Sequence, residues 1–177
     1  MNDLNSFLES AKKILQDDSL SFIAKDIWGS QNSSHRELLH NEVAKIKNLN
    51  PGLHTSISHS EGMGVLVYSK QPVGVDVELT SRVLERIAAR VSSKEDVTNA
   101  PSPASLWTAK EACFKALKTF NQPSVISQIS IGDWEKIDSQ TETCRLMNPQ
   151  SFDSPSENRG VVIHTKHHTC SFFIFRT

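Results

Sequence analysis

Twice along this chain a helical spacing of apolar residues gives way to alternation, and that double change of period limits what it can fold into. Leu4, Phe7, Leu8, Ala11 and Leu15 recur at three- and four-residue steps, which predicts an opening amphipathic helix. A second helix starts near Ser33 and Ser34, whose hydroxyls can cap it. It buries Leu38, Leu39, Val43 and Ile46 and stops at Asn50-Pro51-Gly52. The period then becomes two: HTSISHS and GVLVYS read as strands joined at Ser60-Glu61-Gly62, and PVGVDVEL is a third. Helix returns at SRVLERIAARV. The polar stretch SSKEDVTNAPSPAS reads as an irregular connection, and LWTAKEACFKALKTF is a helix ended by Asn121 and Pro123. SVISQISIGDW, ETCRLM, RGVVIHT and TCSFFIFRT alternate again, with MNPQSFDSPSENRG a loop. Helices followed by strands, twice over, predict an α+β architecture of packed helices and antiparallel sheets. The change near Pro72 divides it into an N-terminal lobe, 1–72, and a C-terminal lobe, 73–177.

Composition removes several function classes. Nineteen Lys and Arg against twenty Asp and Glu leave a net charge of −1, which argues against a nucleic-acid partner bound through bulk positive charge. No apolar run approaches the ~20 residues that span a bilayer, so a soluble chain with no membrane partner is expected. Asp3 and Glu9 interrupt the opening apolar residues, which reads as a helix and not as a secretory signal. Cys113, Cys144 and Cys170 are odd in number and lack C-x-x-C spacing, so a reducing, cytoplasmic setting is expected.

Three places can carry chemistry. On the strand Val73–Leu79, alternation sets Val73, Val75, Val77 and Leu79 on one face and Gly74, Asp76 and Glu78 on the other. Two carboxylates so placed, about 7 Å apart at Cα, can share a hard cation such as Mg2+; an ordinary water-facing strand presents the same pattern. On the last helix Leu106, Ala109, Cys113, Leu117 and Phe120 form the buried stripe, while Glu111 and Lys115 stand one turn apart and Lys110 precedes the glutamate. That group suits a phosphate ester held between a cation and ammonium groups, and equally a surface ion pair worth ~0.3–0.5 kcal/mol. Ser58-His59-Ser60, beside Gly62 and Gly64, can offer a hydroxyl, an imidazole and backbone amides to a phosphate, or hold a turn histidine. Glycine-rich nucleotide loops and G-x-S-x-G are absent.

Taken in order, SISHS, GVDVE and WTAKEACFKA resemble the 4′-phosphopantetheinyl transferases, in particular the surfactin-type, pseudo-dimeric branch. The signature reads here as Val73-Gly74-Val75-Asp76-Val77-Glu78 followed by Trp107-Thr108-Ala109-Lys110-Glu111-Ala112-Cys113-Phe114-Lys115, with Ser58-His59-Ser60 before both. HRELLHNEVAKI resembles an early helix of that family, and the N-terminal half is abbreviated relative to it. The resemblance implies the fold of that family, two small pseudo-symmetric lobes. It also implies transfer of 4′-phosphopantetheine from coenzyme A to a serine of an apo acyl- or peptidyl-carrier protein, with release of 3′,5′-ADP. Asp76, Glu78 and Glu111 would hold Mg2+. Lys110 and Lys115 would neutralise phosphate oxygens, and Ser58, His59 and Arg36 would meet the 3′-phosphate of coenzyme A. Glu111 would serve as base, directly or through water, so that Glu111, Lys115 and Asp76 carry catalysis; Trp107 would orient the helix. The alternatives are a non-catalytic coenzyme A-binding module and a Mg2+-dependent phosphohydrolase. Arg82, Arg86 and Arg90 recur along one helix and offer a basic face to an acidic carrier, or a solvated surface.

Overall fold

A computed structural model describes the backbone of residues 2–29 and 33–177 and the side chains of residues 9–28, 34, 35 and 37–177. Among the described residues eight strands form two antiparallel sheets, and five α-helices cover them. The smaller sheet takes β1 (Ser21–Lys25), β2 (His54–Ser60) and β3 (Met63–Ser69) in the order β1-β3-β2. The larger takes β4 (Val73–Leu79), β5 (Ile131–Lys136), β6 (Thr141–Leu146), β7 (Asn158–His164) and β8 (His168–Phe175) in the order β4-β8-β7-β6-β5. The helices are α1 (Asn2–Leu15), α2 (Ser33–Leu49), α3 (Glu85–Arg90), α4 (Lys94–Asn99) and α5 (Pro103–Ala116). This is the α+β class that the alternating periods predict.

Three apolar clusters hold the layers together. Trp28, Leu39 and Leu66 join α2 to the small sheet. Ala11 and Leu15 of α1 meet Val65 and Val67 of the small sheet and Val73, Val75, Val77, Val161 and Phe172 of the large one in a common core. On the far face of the large sheet, Leu106, Ala109, Ala112, Cys113 and Ala116 of α5 pack against Cys144, Val162, Phe173 and Phe175. β4 is therefore covered on both faces. Asp76, set on a polar face by alternation, is 4% exposed, so a water-facing strand is excluded here.

The close approach of α5 explains Gly74. A Cβ there would lie 1.9 Å from the Ala112 carbonyl oxygen and 2.6 Å from the Ala116 nitrogen. Both obstacles are backbone, which cannot swing aside. Alternation then turns Asp76 and Glu78 toward the same helix.

Several elements depart from the sequence reading for identifiable reasons. β1 has too short an apolar run to announce itself; it forms by pairing with β3, from Ser21↔Tyr68 to Lys25↔Gly64. The stretch read as irregular contains α4, which Ser93 and Asp96 open with reciprocal side-chain to backbone hydrogen bonds. SRVLERIAARV shrinks to a 3-10 turn followed by α3. α5 starts earlier than its apolar stripe, because Ser102 accepts a hydrogen bond from the Ser105 amide and Pro103 tolerates the first turn. In SVISQISIGDW only Ile131 onward is strand, after a 3-10 turn at Ile126–Gln128. Of the stripe expected on α2, Leu39 is buried in the core, whereas Leu38 is 47% exposed. The side chains of Leu4, Phe7, Leu8 and Arg36 lie outside the described residues.

Gly74→Ala should lower stability by at least ~1–3 kcal/mol, the usual range for overpacking, as read by urea denaturation. Ala109→Gly on the same helix should act only through the helix propensity and the lost methyl contact.

Candidate functional site

α5 runs antiparallel to β4, and one stripe of the helix meets the polar face of the strand. Trp107 Nε1 donates to Glu78 Oε1 at 3.4 Å. Two turns on, Lys115 Nζ donates to Asp76 Oδ1 at 2.8 Å and to the Val75 carbonyl oxygen at 3.0 Å. Glu111 lies between them on that stripe. From the other side β2 contributes Ser58, whose hydroxyl donates to Asp76 Oδ1 at 2.8 Å, and Ser60, whose hydroxyl lies 3.5 Å from Glu78 Oε2. The second carboxylate oxygen of Asp76 is buried and has no hydrogen-bond partner.

The electrostatics are those of crowded acids. Burial pushes the Glu78 carboxyl above its usual range and the Asp76 charge adds to the effect; Trp107, Lys115 and Ser60 oppose it. Burial likewise raises Glu111, reinforced by Asp76 and Glu78 and opposed by Lys115. The sequence-predicted acids are thus brought together from β4 and α5, along with Lys115. Trp107, expected only to orient the helix, also donates to one of the carboxylates.

Among the described residues no three His, Cys, Asp or Glu side chains form a ready-made cation cage. The donor set nevertheless fits a hard divalent ion. Asp76, Glu78 and Glu111 are near enough for their charges to act on one another, Glu78 and Glu111 are pushed toward the protonated form, and a buried oxygen of Asp76 lacks any partner. Positive charge ringed by oxygen donors relieves all three conditions.

Lys110 is a correction. The sequence placed it on a phosphate, but its side chain is fully buried on the side of α5 away from the acids. Its Nζ sits 2.9 Å from Asp96 Oδ2 and donates to the carbonyls of Val91 at 2.8 Å and Ile129 at 2.6 Å. Burial lowers its pKa, with Asp96 opposing. Asp96 also caps α4 and accepts from the Ser130 hydroxyl at 2.9 Å. Lys110 therefore fastens α5 to α4, to the end of α3 and to the segment just before β5, which spacing alone does not reveal. Ser58 is the second correction: its hydroxyl, read as a phosphate ligand, is buried against Asp76 and the Val77 amide. His59 points to the opposite face of β2 and is exposed, so the structure does not join it to Ser58.

Beside the acids a cleft of about 680 Å³ opens between α2 and α5. Its charged and titratable lining is His40, Lys47, His54, Lys115 and Lys118, with no carboxylate. Burial and the nearby Lys47 charge lower the His54 pKa, as expected where cations crowd. Lys115 belongs to both places, lining the cleft and contacting Asp76. The sequence reading missed Lys47 and Lys118. The seven-residue step from His40 to Lys47 on a helix and the three-residue step from Lys115 to Lys118 were the available signals.

An acidic centre thus adjoins a cationic cleft within an α+β frame, with Lys115 common to both. The family model of the 4′-phosphopantetheinyl transferase superfamily matches residues 72–169, more than half of the chain, and the chain belongs to that superfamily. No curated protein matches the sequence.

Two outcomes check this account of the site. Lys110→Met should cost about 3–5 kcal/mol by urea denaturation, because it strands the buried Asp96 charge; adding Asp96→Leu should recover part of the loss. Glu111 has a raised folded-state pKa, so its penalty is absent at low pH, where it is protonated, and grows as pH rises through that pKa. Glu111→Gln should therefore raise the metal-free melting temperature at neutral pH, with the gain fading toward acid in a thermal-melt series.

Proposed function

We propose that this protein is a 4′-phosphopantetheinyl transferase of the surfactin-type branch, acting on coenzyme A and an apo acyl- or peptidyl-carrier protein. The observation that carries the proposal is the shared Lys115, which links a carboxylate-free cationic cleft to three facing acids. A nucleotide with several phosphates suits the cleft, and its diphosphate would end at the acids. Lys47 and Lys118 would meet phosphate oxygens there. The exposed His59 is offered as a further contact for the 3′-phosphate.

Asp76, Glu78 and Glu111 would hold Mg2+, which when bound supplies charge neutralisation to the diphosphate. In the transfer, the serine oxygen of the carrier bonds to the β-phosphorus, the phosphoanhydride bond breaks, and 3′,5′-ADP departs with the bridging oxygen. The serine proton goes to Glu111, directly or through water. Lys115 steadies the charge that develops on the phosphate oxygens. Arg82, Arg86 and Arg90, exposed beside Leu84, offer a basic and apolar surface to an acidic carrier, although Arg82 already pairs with Glu61. Among the described residues no helix is long and apolar enough to cross a membrane. With three free, buried cysteines, this fits a cytoplasmic setting.

Incubation with coenzyme A, Mg2+ and apo-carriers, followed by intact mass, should show the carrier gaining phosphopantetheine. Glu111→Gln should lower the rate by about 10²–10⁴-fold, the usual contribution of a positioned base. Lys47→Ala with Lys118→Ala should act mainly on the KM for coenzyme A. Coenzyme A bound without transfer to any carrier would leave the non-catalytic binding module, and 3′,5′-ADP released without a carrier would leave the hydrolase.

A further inference from the structure

We infer that the alternate serines of β2 are positioning residues for the acidic centre, and that Ser58 above all orients Asp76 as a cation ligand. The inference rests on the reading of the centre as a divalent-cation site. One edge of β4 is paired with β8, leaving the amides of Val75, Val77 and Leu79 on the other edge. Val75 and Val77 are fully buried, so their N–H groups need partners. Among the described residues no strand supplies them. The hydroxyls of Ser56, Ser58 and Ser60 accept from Val75, Val77 and Leu79 at 3.1, 3.3 and 3.1 Å, each pair nineteen residues apart. The constant offset means that β2 runs parallel to β4 and that serine side chains replace a missing strand.

A hydroxyl accepts and donates at once, and here the donated proton differs from rung to rung. Ser58 donates to Asp76 Oδ1 and Ser60 toward Glu78 Oε2, each to the residue just before the amide it serves. At the equivalent rung, Ser56 stands opposite Gly74, which has no side chain to receive its proton. With Lys115 on the same Oδ1, Ser58 fixes the Asp76 carboxylate so that Oδ2 is the oxygen left free. The ladder thus carries a built-in comparison. Among the described residues Ser56 makes the backbone contact alone, whereas Ser58 makes the same contact and aims a carboxylate.

Mn2+ binding to the free protein, measured by electron paramagnetic resonance of the unbound ion, tests this without turnover. Ser58→Ala should weaken Mn2+ affinity about tenfold or more, the usual effect of removing a hydrogen bond that orients a metal ligand. Ser58→Thr should restore it, and Ser56→Ala should bind Mn2+ as the wild type does. Equal affinities in Ser58→Ala and Ser56→Ala, with Asp76→Asn weakened, would overturn the positioning role and keep the cation site. If Asp76→Asn binds as well as wild type, or neither binds, the cation reading itself fails. Should circular dichroism show Ser58→Ala unfolded, Ser60→Ala at the more open end of the ladder decides: affinity below that of Ser56→Ala supports the inference, and affinity equal to it overturns it.

Discussion

The near-contact of α5 with β4 at Gly74 governs the rest of the molecule. With no side chain between them, helix and strand come close enough for Trp107 and Lys115 to reach Glu78 and Asp76. A larger residue at position 74 would widen that gap and separate groups whose interactions fall steeply with distance. The buried Lys110–Asp96 pair works in the same direction from behind the helix. It ties α5 to α4 and to the turn just before β5, fixing which face of α5 meets the strand.

Bringing three carboxylates together opposes folding, and the surroundings are arranged to tolerate it. Lys115 supplies one positive charge, while an indole and two serines donate hydrogen bonds. These partners offset the repulsion only in part, since Glu78 and Glu111 still hold their protons more tightly than free glutamates. Sites with that imbalance are often places where a ligand completes the charge. The adjoining cleft repeats the argument with the sign reversed, gathering lysines and histidines with no acid among them.

Much of the fold was legible because amphipathic elements advertise their period. The strands β2, β3, β4, β7 and β8 and the helices α1, α2 and α5 follow the spacing of their apolar residues. The unannounced elements depend on other information. β1 takes its form from a partner strand, and α4 from a cap that lies outside hydrophobic patterning. At the site, D-x-E spacing and the Glu111–Lys115 step located the acids and one ammonium. The same spacing cannot tell a lysine that faces substrate from one directed inward, as Lys110 is. Nor can it tell that Ser58 spends its hydroxyl on a neighbouring strand, because that partner is set by how two sheets meet. Lys47 and Lys118 come from separate helical regions and become neighbours only when the cleft closes.

The thiols of Cys113, Cys144 and Cys170 lie inside the apolar layers, and burial raises the pKa of each. A thiol that seldom ionises and seldom meets solvent resists alkylation. The native surface is therefore chemically silent toward maleimides among the described residues, and a cysteine introduced at an exposed position would be the preferred point of attachment for a dye or spin label. The three native thiols, one on α5, one on β6 facing that helix and the third on β8, would take up reagent only as those layers part. Their labelling rate is thus an internal clock for the opening of the molecule.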